Sequence, residues 1–301
     1  MTLHWIKFAV SAGGLALLLW WTDAPSVLAR LQEVDHRWTL LALLSVTVAT
    51  CAMASRWAIA ARAFDLRISF GAALREYYLA QLINLALPGG VAGDVTRAVR
   101  ARRGADLKRA SQSVMAERLL GQIAIFALML VGFACAVVLP GGPQWGTLGL
   151  GVLAVLVLCI VAALAFAQSK TAPARFFRAV GALMRQPAMI AHGAVTTVCL
   201  IFGFYACARA TGVVIPPEAW ATLIPLVLSA MLVPLSIGGW GWREGAAAAL
   251  FPLIGAPASA GVATGITYGL VLMVATLPVA AILLFPGFSS LPSTKGKADT
   301  L

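Results

Sequence analysis

Residues 147–168 form an apolar run of twenty-two positions that contains no charged side chain. A helix of about 20 apolar residues crosses a bilayer core, so this run is long enough to span a membrane. Similar apolar runs occupy 4–21, 38–61, 113–139, 188–210 and 260–285. Backbone inside hydrocarbon must satisfy its own hydrogen bonds, so each run predicts an α-helix. The sequence therefore predicts an all-α polytopic membrane protein with about six full transmembrane helices.

The composition supports this class. Hydrophobic residues make up 61% of the chain and charged residues 11%, whereas a soluble domain has about 25% charged residues. We expect residues 1–301 to form a single integral membrane domain. The net charge of +11 comes from basic residues clustered beside apolar runs. Anionic membrane lipids, and not nucleic acid, are therefore the expected partners.

The first run, 4–21, has two interpretations. Val27-Leu28-Ala29 loosely resembles a signal-peptidase site, which would make the run a cleaved signal peptide. The apolar part is long for such a peptide, and the rest of the chain is also membrane-embedded. We therefore favour a retained first span.

The cysteines and histidines predict neither a metal site nor a bound cofactor. All five cysteines lie within apolar runs and none is in a CxxC pair. The three histidines are scattered and have no cysteine or carboxylate at ligand spacing. The cysteines are interpreted as small buried apolar residues.

Two further apolar segments, 72–92 and 218–241, end in PGGVAG and PLSIGGWG. Proline and clustered glycines interrupt an α-helix. The interrupting residues are Pro88, Gly89, Gly90 and Gly93 in the first segment and Pro234, Gly238, Gly239 and Gly241 in the second. Irregular backbone at membrane depth is tolerated only where it is buried in protein or lines a watery cavity, so the breaks predict a cavity.

The basic residues predict how the broken segments sit, because lysine and arginine concentrate in cytoplasmic loops. The basic loops are 62–71, 93–112 and 169–187, and the loops at 140–146 and 211–217 have no basic residue. Segment 72–92 then has both ends at the cytoplasm, and segment 218–241 has both ends outside. Each is predicted to be a re-entrant hairpin. The same rule places both termini at the cytoplasmic face of the membrane.

The predicted hairpins divide the chain into two units, 38–139 and 188–285. Each unit has a crossing, a broken hairpin and another crossing, in opposite orientations, which is the inverted-repeat arrangement of secondary transporters. Pro88-x4-Gly93-x3-Arg97 and Pro234-x4-Gly239-x3-Arg243 share one spacing.

Charged residues near the breaks are the candidate functional groups. Asp94 and Arg97 are one helical step apart and can face the same side, while Arg243 adjoins Glu244. Half-helix ends and nearby arginines suit an anionic lipid headgroup. The alternative is that Arg97 belongs to the cytoplasmic basic cluster and Arg243 to an ion pair at the outer interface.

Other charged residues have weaker functional interpretations. Glu117 and Arg118 begin the 113–139 crossing, where a carboxylate could carry a coupling proton, but a structural pair at the helix end is favoured. Arg56 is expected to snorkel to the cytoplasmic interface. Arg75 and Glu76 begin the first hairpin and are either cavity-lining or interfacial.

No catalytic constellation is recognisable, and transport of a lipid between leaflets is the leading hypothesis. A membrane glycosyltransferase would need an acidic residue in an outer loop, where Asp23, Glu33 and Asp35 are available. A non-catalytic accessory subunit of a lipid biosynthesis pathway is a third hypothesis.

Three stretches also resemble a known family: NLALPGGVAGDVTRAVRARR (84–103), AERLLG (116–121) and VPLSIGGWGWREGA (233–246). They resemble the flippase-like family named for the transmembrane region of lysylphosphatidylglycerol synthases. The resemblance implies a polytopic inner-membrane protein that moves a phospholipid, glycolipid or polyprenyl-linked lipid, without the soluble lysyltransferase domain. The resemblance also implies that six charged residues are functional positions: Asp94, Arg97, Glu117, Arg118, Arg243 and Glu244.

Overall fold

The computed structural model describes residues 13–86, 91–102, 106–138, 145–167, 172–233 and 238–284. Within these ranges the chain is helical apart from turns and short connections, and no β-strand occurs. The helices are α1 (13–21), α2 (Ala24–Gln32), α3 (His36–Arg62), α4 (Phe70–Ala86), α5 (Ala92–Ala101), α6 (Leu107–Val138), α7 (Gly146–Ala167), α8 (Ala172–Met184), α9 (Pro187–Ala210), α10 (Leu223–Ala230), α11 (Trp242–Leu250) and α12 (Ala258–Leu284). Short 3-10 helices cover Pro217–Ala219 and Phe251–Ile254.

In the described part of the chain, five helices are long and apolar enough to cross a membrane: α3, α6, α7, α9 and α12. They coincide with five of the six predicted crossings. The remaining one, 4–21, is described only from residue 13, where α1 begins. Large apolar side chains on α7, such as Leu158 and Leu164, are exposed, as expected for a helix that faces lipid. The predicted all-α polytopic architecture is confirmed.

Helices α3 and α9 pack together along their whole lengths in antiparallel orientation. The Asp35 amide donates to the Ala210 carbonyl at 3.0 Å, and the Ser45 hydroxyl donates to the Cys199 carbonyl at 2.7 Å. Small buried residues, among them Ala42 and Gly203, let the two backbones approach closely. Helices α4 and α6 pack against α3, and α10 and α12 pack against α9.

The first broken segment consists of α4 and α5. Residues 87–90, which include Pro88, Gly89 and Gly90, lie outside the described ranges. Gly93 is not part of the break but lies in the first turn of α5, where an added Cβ would collide with the Ala80 backbone carbonyl. Glycine is therefore required for the close packing of α5 against α4.

Residues 93–112, predicted as a basic loop, are largely helical. Helix α5 extends to Ala101, and α6 begins at Leu107, before the predicted start of the crossing at 113. Helix α5 is amphipathic, with Val95 and Val99 exposed and Arg97 buried. The burial of Arg97 overturns the interpretation that it belongs to a cytoplasmic basic cluster.

The second broken segment consists of α10 and α11, so it extends beyond residue 241 to Leu250. Pro234 lies outside the described ranges. Gly238, Gly239 and Gly241 have φ values of 57°, 83° and 88°, in the left-handed region that favours glycine. These residues form the turn that leads directly into α11.

Two predicted loops also contain helices. Helix α2 lies between the first two predicted crossings and includes Val27–Ala29. Helix α8 occupies most of the predicted 169–187 loop. It buries Val180 and Leu183 and exposes Arg178, so it is an amphipathic helix beside the bundle.

Candidate functional site

A cavity of about 350 Å³ lies where the two broken segments meet. Asn84 and Val91 line it from the first segment, and Gly239 lines it from the second. The segments touch directly, because a Cβ added to Gly238 would lie 3.1 Å from Leu85 Cδ2. Residues that flank the first break and glycines of the second break therefore line one cavity.

Five charged side chains line this cavity: Arg56, Asp94, Arg97, Glu117 and Arg118. They come from three helices, α3, α5 and α6. Three guanidinium groups against two carboxylates leave an excess of one positive charge. Arg56, Arg97 and Glu117 are 3%, 1% and 0% exposed. A net cationic centre is therefore buried within the bundle.

Glu117 is the centre of this charged cluster. Its Oε1 accepts from Arg56 Nη2 at 2.5 Å and from Arg56 Nε at 3.2 Å. Its Oε2 accepts from the Tyr77 hydroxyl at 3.0 Å and from Arg97 Nη2 at 3.2 Å. One carboxylate thus connects α3, α4, α5 and α6.

The Arg97 guanidinium is held between two aromatic rings. Its Cζ lies 4.6 Å from the centre of the Trp57 ring and 4.3 Å from that of Tyr77. A guanidinium over an aromatic face is attracted by the negative face of the ring. Arg97 Nη2 also donates to Asp94 Oδ1 at 3.0 Å. These contacts orient Arg97 along the cavity wall.

Asp94 joins the two halves of the first broken segment. It pairs with Arg118 of α6 and accepts a bond from Asn84 Nδ2 at 3.4 Å. Asn84 Oδ1 in turn accepts from the Gly93 amide at 2.8 Å. Hydrogen bonds thereby join the end of α4 to the first turn of α5.

The arginines retain donors that no described protein group accepts. These buried N–H groups are Arg56 Nη1 and, on Arg97, Nε and Nη1. A buried donor without an acceptor costs about 1–3 kcal/mol, and more when it is charged. A ligand with anionic oxygens would accept charge-assisted hydrogen bonds from these groups. Gly121 gives Arg56 its space, because a Cβ there would lie 2.7 Å from Arg56 Nη2.

The structure brings together four of the six charged positions inferred from sequence: Asp94, Arg97, Glu117 and Arg118. Glu117 and Arg118 are not the helix-end pair that was favoured, since Glu117 pairs with Arg56 and Arg97 while Arg118 pairs with Asp94. The expectation that Arg56 snorkels to the interface is wrong, because its side chain is buried against Glu117.

Three residues of the charged cluster were not assigned to it from the sequence: Arg56, Tyr77 and Trp57. A cation within an apolar span is by default a functional candidate, and that signal could have identified Arg56. The two aromatic residues carried no signal before the helix neighbours were known.

Arg243 and Glu244 form a separate buried ion pair. Arg243 Nε and Nη2 donate to Glu244 Oε1 at 2.9 and 2.5 Å, and Glu244 Oε2 accepts from the Gly241 amide at 2.7 Å. The Arg243 Cζ lies 5.0 Å from the centre of the Trp240 ring. Neither Arg243 nor Glu244 is among the described residues that line the cavity. The pair fixes the start of α11 next to the second break.

Arg75 and Glu76 do not line the cavity among the described residues either. Glu76 accepts from Arg100 Nε and Nη2 at 2.7 and 2.8 Å. These hydrogen bonds raise the pKa of the Arg100 guanidinium above its ordinary value. The pair links α4 to α5.

An apolar groove of about 740 Å³ runs between α6 and α9. Its lining includes Ile123, Gly193 and Val198. Arg56 and Thr197 line both the groove and the charged cavity. The groove and the cavity therefore adjoin.

Asp23 and Asp35, two of the acidic residues predicted to lie in an outer loop, accept hydrogen bonds from residues close to them in the chain. Asp35 Oδ1 accepts from the Arg37 amide at 2.8 Å and caps α3. Asp23 accepts from the Ser26 hydroxyl at 2.5 Å. Among the described residues, no three His, Cys, Asp or Glu side chains are grouped to hold a metal ion.

Comparison with known proteins places these features in context. A family described as the lysylphosphatidylglycerol synthase TM region matches residues 4–280. A relative from Pyrococcus horikoshii, the UPF0104 membrane protein PH1989, is 21% identical over 149 residues. That match covers 48% of this chain and 44% of the relative, so it spans less than half of each. Both descriptions are of membrane proteins.

Proposed function

Because the chain belongs to the lysylphosphatidylglycerol synthase transmembrane region family, we propose that it moves an anionic or modified phospholipid, glycolipid or polyprenyl-linked lipid between membrane leaflets. The observation that carries the proposal is the convergence of both broken segments on one cationic cavity. Lipid headgroups cross the hydrocarbon slowly because polar groups are costly to desolvate there. A buried polar cavity lowers that cost.

The charge of the cavity supports an anionic headgroup. Arg56, Arg97 and Arg118 outnumber Asp94 and Glu117 by one. Three buried guanidinium nitrogens of this cluster, one on Arg56 and two on Arg97, have no acceptor among the described residues. A phosphate would neutralise the excess charge and accept these hydrogen bonds. The lipid binds as substrate, and no cofactor enters the proposal.

The proposal includes alternating access through an inverted repeat. Units 38–139 and 188–285 would place the two hairpins on opposite sides of the cavity, with both termini at the cytoplasmic face of a bacterial plasma membrane. The contact between Leu85 and Gly238 supports a pairing of the hairpins. The charged residues are not equivalent, because Arg97 lines the cavity and Arg243 does not.

The direct experiment measures leaflet-resolved movement of a headgroup-labelled anionic phospholipid in proteoliposomes that contain the purified protein. We expect Arg97→Gln to slow movement at least about tenfold, the equivalent of one lost charge-assisted hydrogen bond. Arg100→Gln is the matched control, since Arg100 is on the same helix, pairs with Glu76 and is not among the described residues that line the cavity. Arg97→Lys retains the charge without the planar fork and is expected to be intermediate.

Several outcomes would contradict the proposal. Parent protein that moves lipid no faster than empty liposomes would refute transport by this chain. Equal rates for Arg97→Gln and the parent would refute the role of the cavity. A non-transporting chain that co-purifies with a lipid-pathway enzyme would indicate an accessory subunit. Product formation that Asp35→Asn abolishes would indicate a glycosyltransferase.

A further inference from the structure

The apolar groove between α6 and α9 has one charged end. The position of Arg56 along α9 follows from the antiparallel pairing of α3 and α9. Asp35 bonds to Ala210 at one end, and Ser45 bonds to Cys199 ten residues further along α3. Arg56 is eleven residues beyond Ser45 on α3. Because the helices are antiparallel, it lies beside position 188 of α9, eleven residues before Cys199. The Arg56 guanidinium therefore lies at the Met189 end of the groove.

The opposite end of the groove is apolar and aromatic. Phe202 of α9 and Trp220, which follows the 3-10 helix before α10, line that end. Between these ends the lining consists mainly of aliphatic and small residues, including Ile123, Ala127 and Val198. A ligand that fills this groove is apolar along its length and meets a cation at one end.

The length of the groove matches a lipid chain. From Met189 to Phe202 the groove follows thirteen residues of α9, or roughly 20 Å at the helical rise. One leaflet of a bilayer core is roughly 15 Å thick, which is the depth that an acyl chain occupies. The groove can therefore take a whole chain alongside α9.

We infer that this groove holds one acyl chain of a glycerophospholipid, with the lipid phosphate at Arg56, where the groove joins the cavity. Arg56 Nη1 has no acceptor among the described residues, and a phosphate there would supply one. The inference rests on the proposed function and makes it more specific. Part of the lipid stays in an apolar groove while its headgroup reaches the cavity.

Gly193 provides the test of this inference. It lines the groove, and a Cβ added to it would have no atom within 4 Å, so a larger side chain would project into the groove. Gly193→Leu fills the groove without backbone strain and raises helix propensity. Gly151→Leu is the matched control, because Gly151 lies on the exposed face of spanning helix α7 and its Cβ would also meet no atom.

The assay uses a phosphatidylglycerol probe with a photoreactive group at the end of one acyl chain, cross-linked to the protein in liposomes. We expect the parent to be labelled mainly on groove residues of α6 and α9. Gly193→Leu should reduce that labelling at least about tenfold by displacing buried methylene groups. Gly151→Leu should leave it unchanged.

Any of three results would overturn the inference. One is labelling of α7 equal to that of α9, which would indicate ordinary contact with bulk lipid. Another is unchanged groove labelling in Gly193→Leu. The third is cross-linking of groove residues to a second copy of the chain instead of to lipid. The transport assay on the parent is independent. Groove-specific labelling without transport would refute the proposed function alone, and transport without groove labelling would refute this inference alone.

Discussion

Substitution of Glu117 by glutamine tests whether the buried charged cluster is held together as described. The Glu117 carboxylate accepts from both Arg56 and Arg97 and from the Tyr77 hydroxyl. Glutamine has nearly the same size but is neutral, and its amide nitrogen cannot accept a hydrogen bond. The substitution therefore leaves two buried guanidinium groups next to a neutral side chain.

The expected magnitude follows from burial. Removing one partner of a buried ion pair costs about 3–5 kcal/mol, because the remaining charge is left uncompensated. Arg109 and Asp65 form a pair at 3.1 Å whose side chains are 55% and 78% exposed. Such exposed pairs contribute about 0–1 kcal/mol. Glu117→Gln should therefore reduce the free energy of unfolding by several times more than Arg109→Gln.

Equilibrium unfolding of the purified variants in mixed micelles measures this difference. Adding Arg56→Gln to Glu117→Gln removes one of the stranded charges. The double variant should therefore be more stable than the sum of the single effects, with a coupling of about 0.5–3 kcal/mol. The reasoning is refuted if Glu117→Gln costs no more than Arg109→Gln, or if the two cluster substitutions are additive.

Three further predictions concern neighbouring residues. Tyr77→Phe removes one donor to Glu117 and should cost about 1.5–3 kcal/mol in the same unfolding assay, and an unchanged stability would contradict that bond. Gly93→Ala should displace α5 from α4 and reduce both stability and lipid movement, whereas Gly71→Ala, whose Cβ meets no atom, should not. Asp35→Ala removes a helix cap, so it should cost about 1 kcal/mol of unfolding free energy while lipid movement keeps its parental rate.

Much of the architecture follows from local sequence. An apolar run as long as 147–168 predicts a helix in lipid, because a helix satisfies its backbone hydrogen bonds within the segment. The glycines after Pro234 mark a break because they adopt positive φ values. The side-by-side placement of Asp94 and Arg97 follows from helical spacing alone. Each of these features depends on residues close together in the chain.

The charged cluster around Glu117 could not be predicted from local sequence. Arg56 and Glu117 are 61 residues apart, and nothing local indicates which helices become neighbours. The equal spacing around Arg97 and Arg243 suggested equivalent roles, but only Arg97 lines the cavity. Arg243 instead bonds to the residue next to it, because the turn at Gly241 directs Glu244 back towards the break.

The sharing of one carboxylate by two arginines also has an evolutionary consequence. A sequence that lost Glu117 alone would retain two buried cations without their common acceptor. Such an intermediate is costly, so changes at Glu117 should be accompanied by changes at Arg56 or Arg97. We expect these three positions to covary across relatives, whereas exposed pairs such as Arg109 and Asp65 should vary independently.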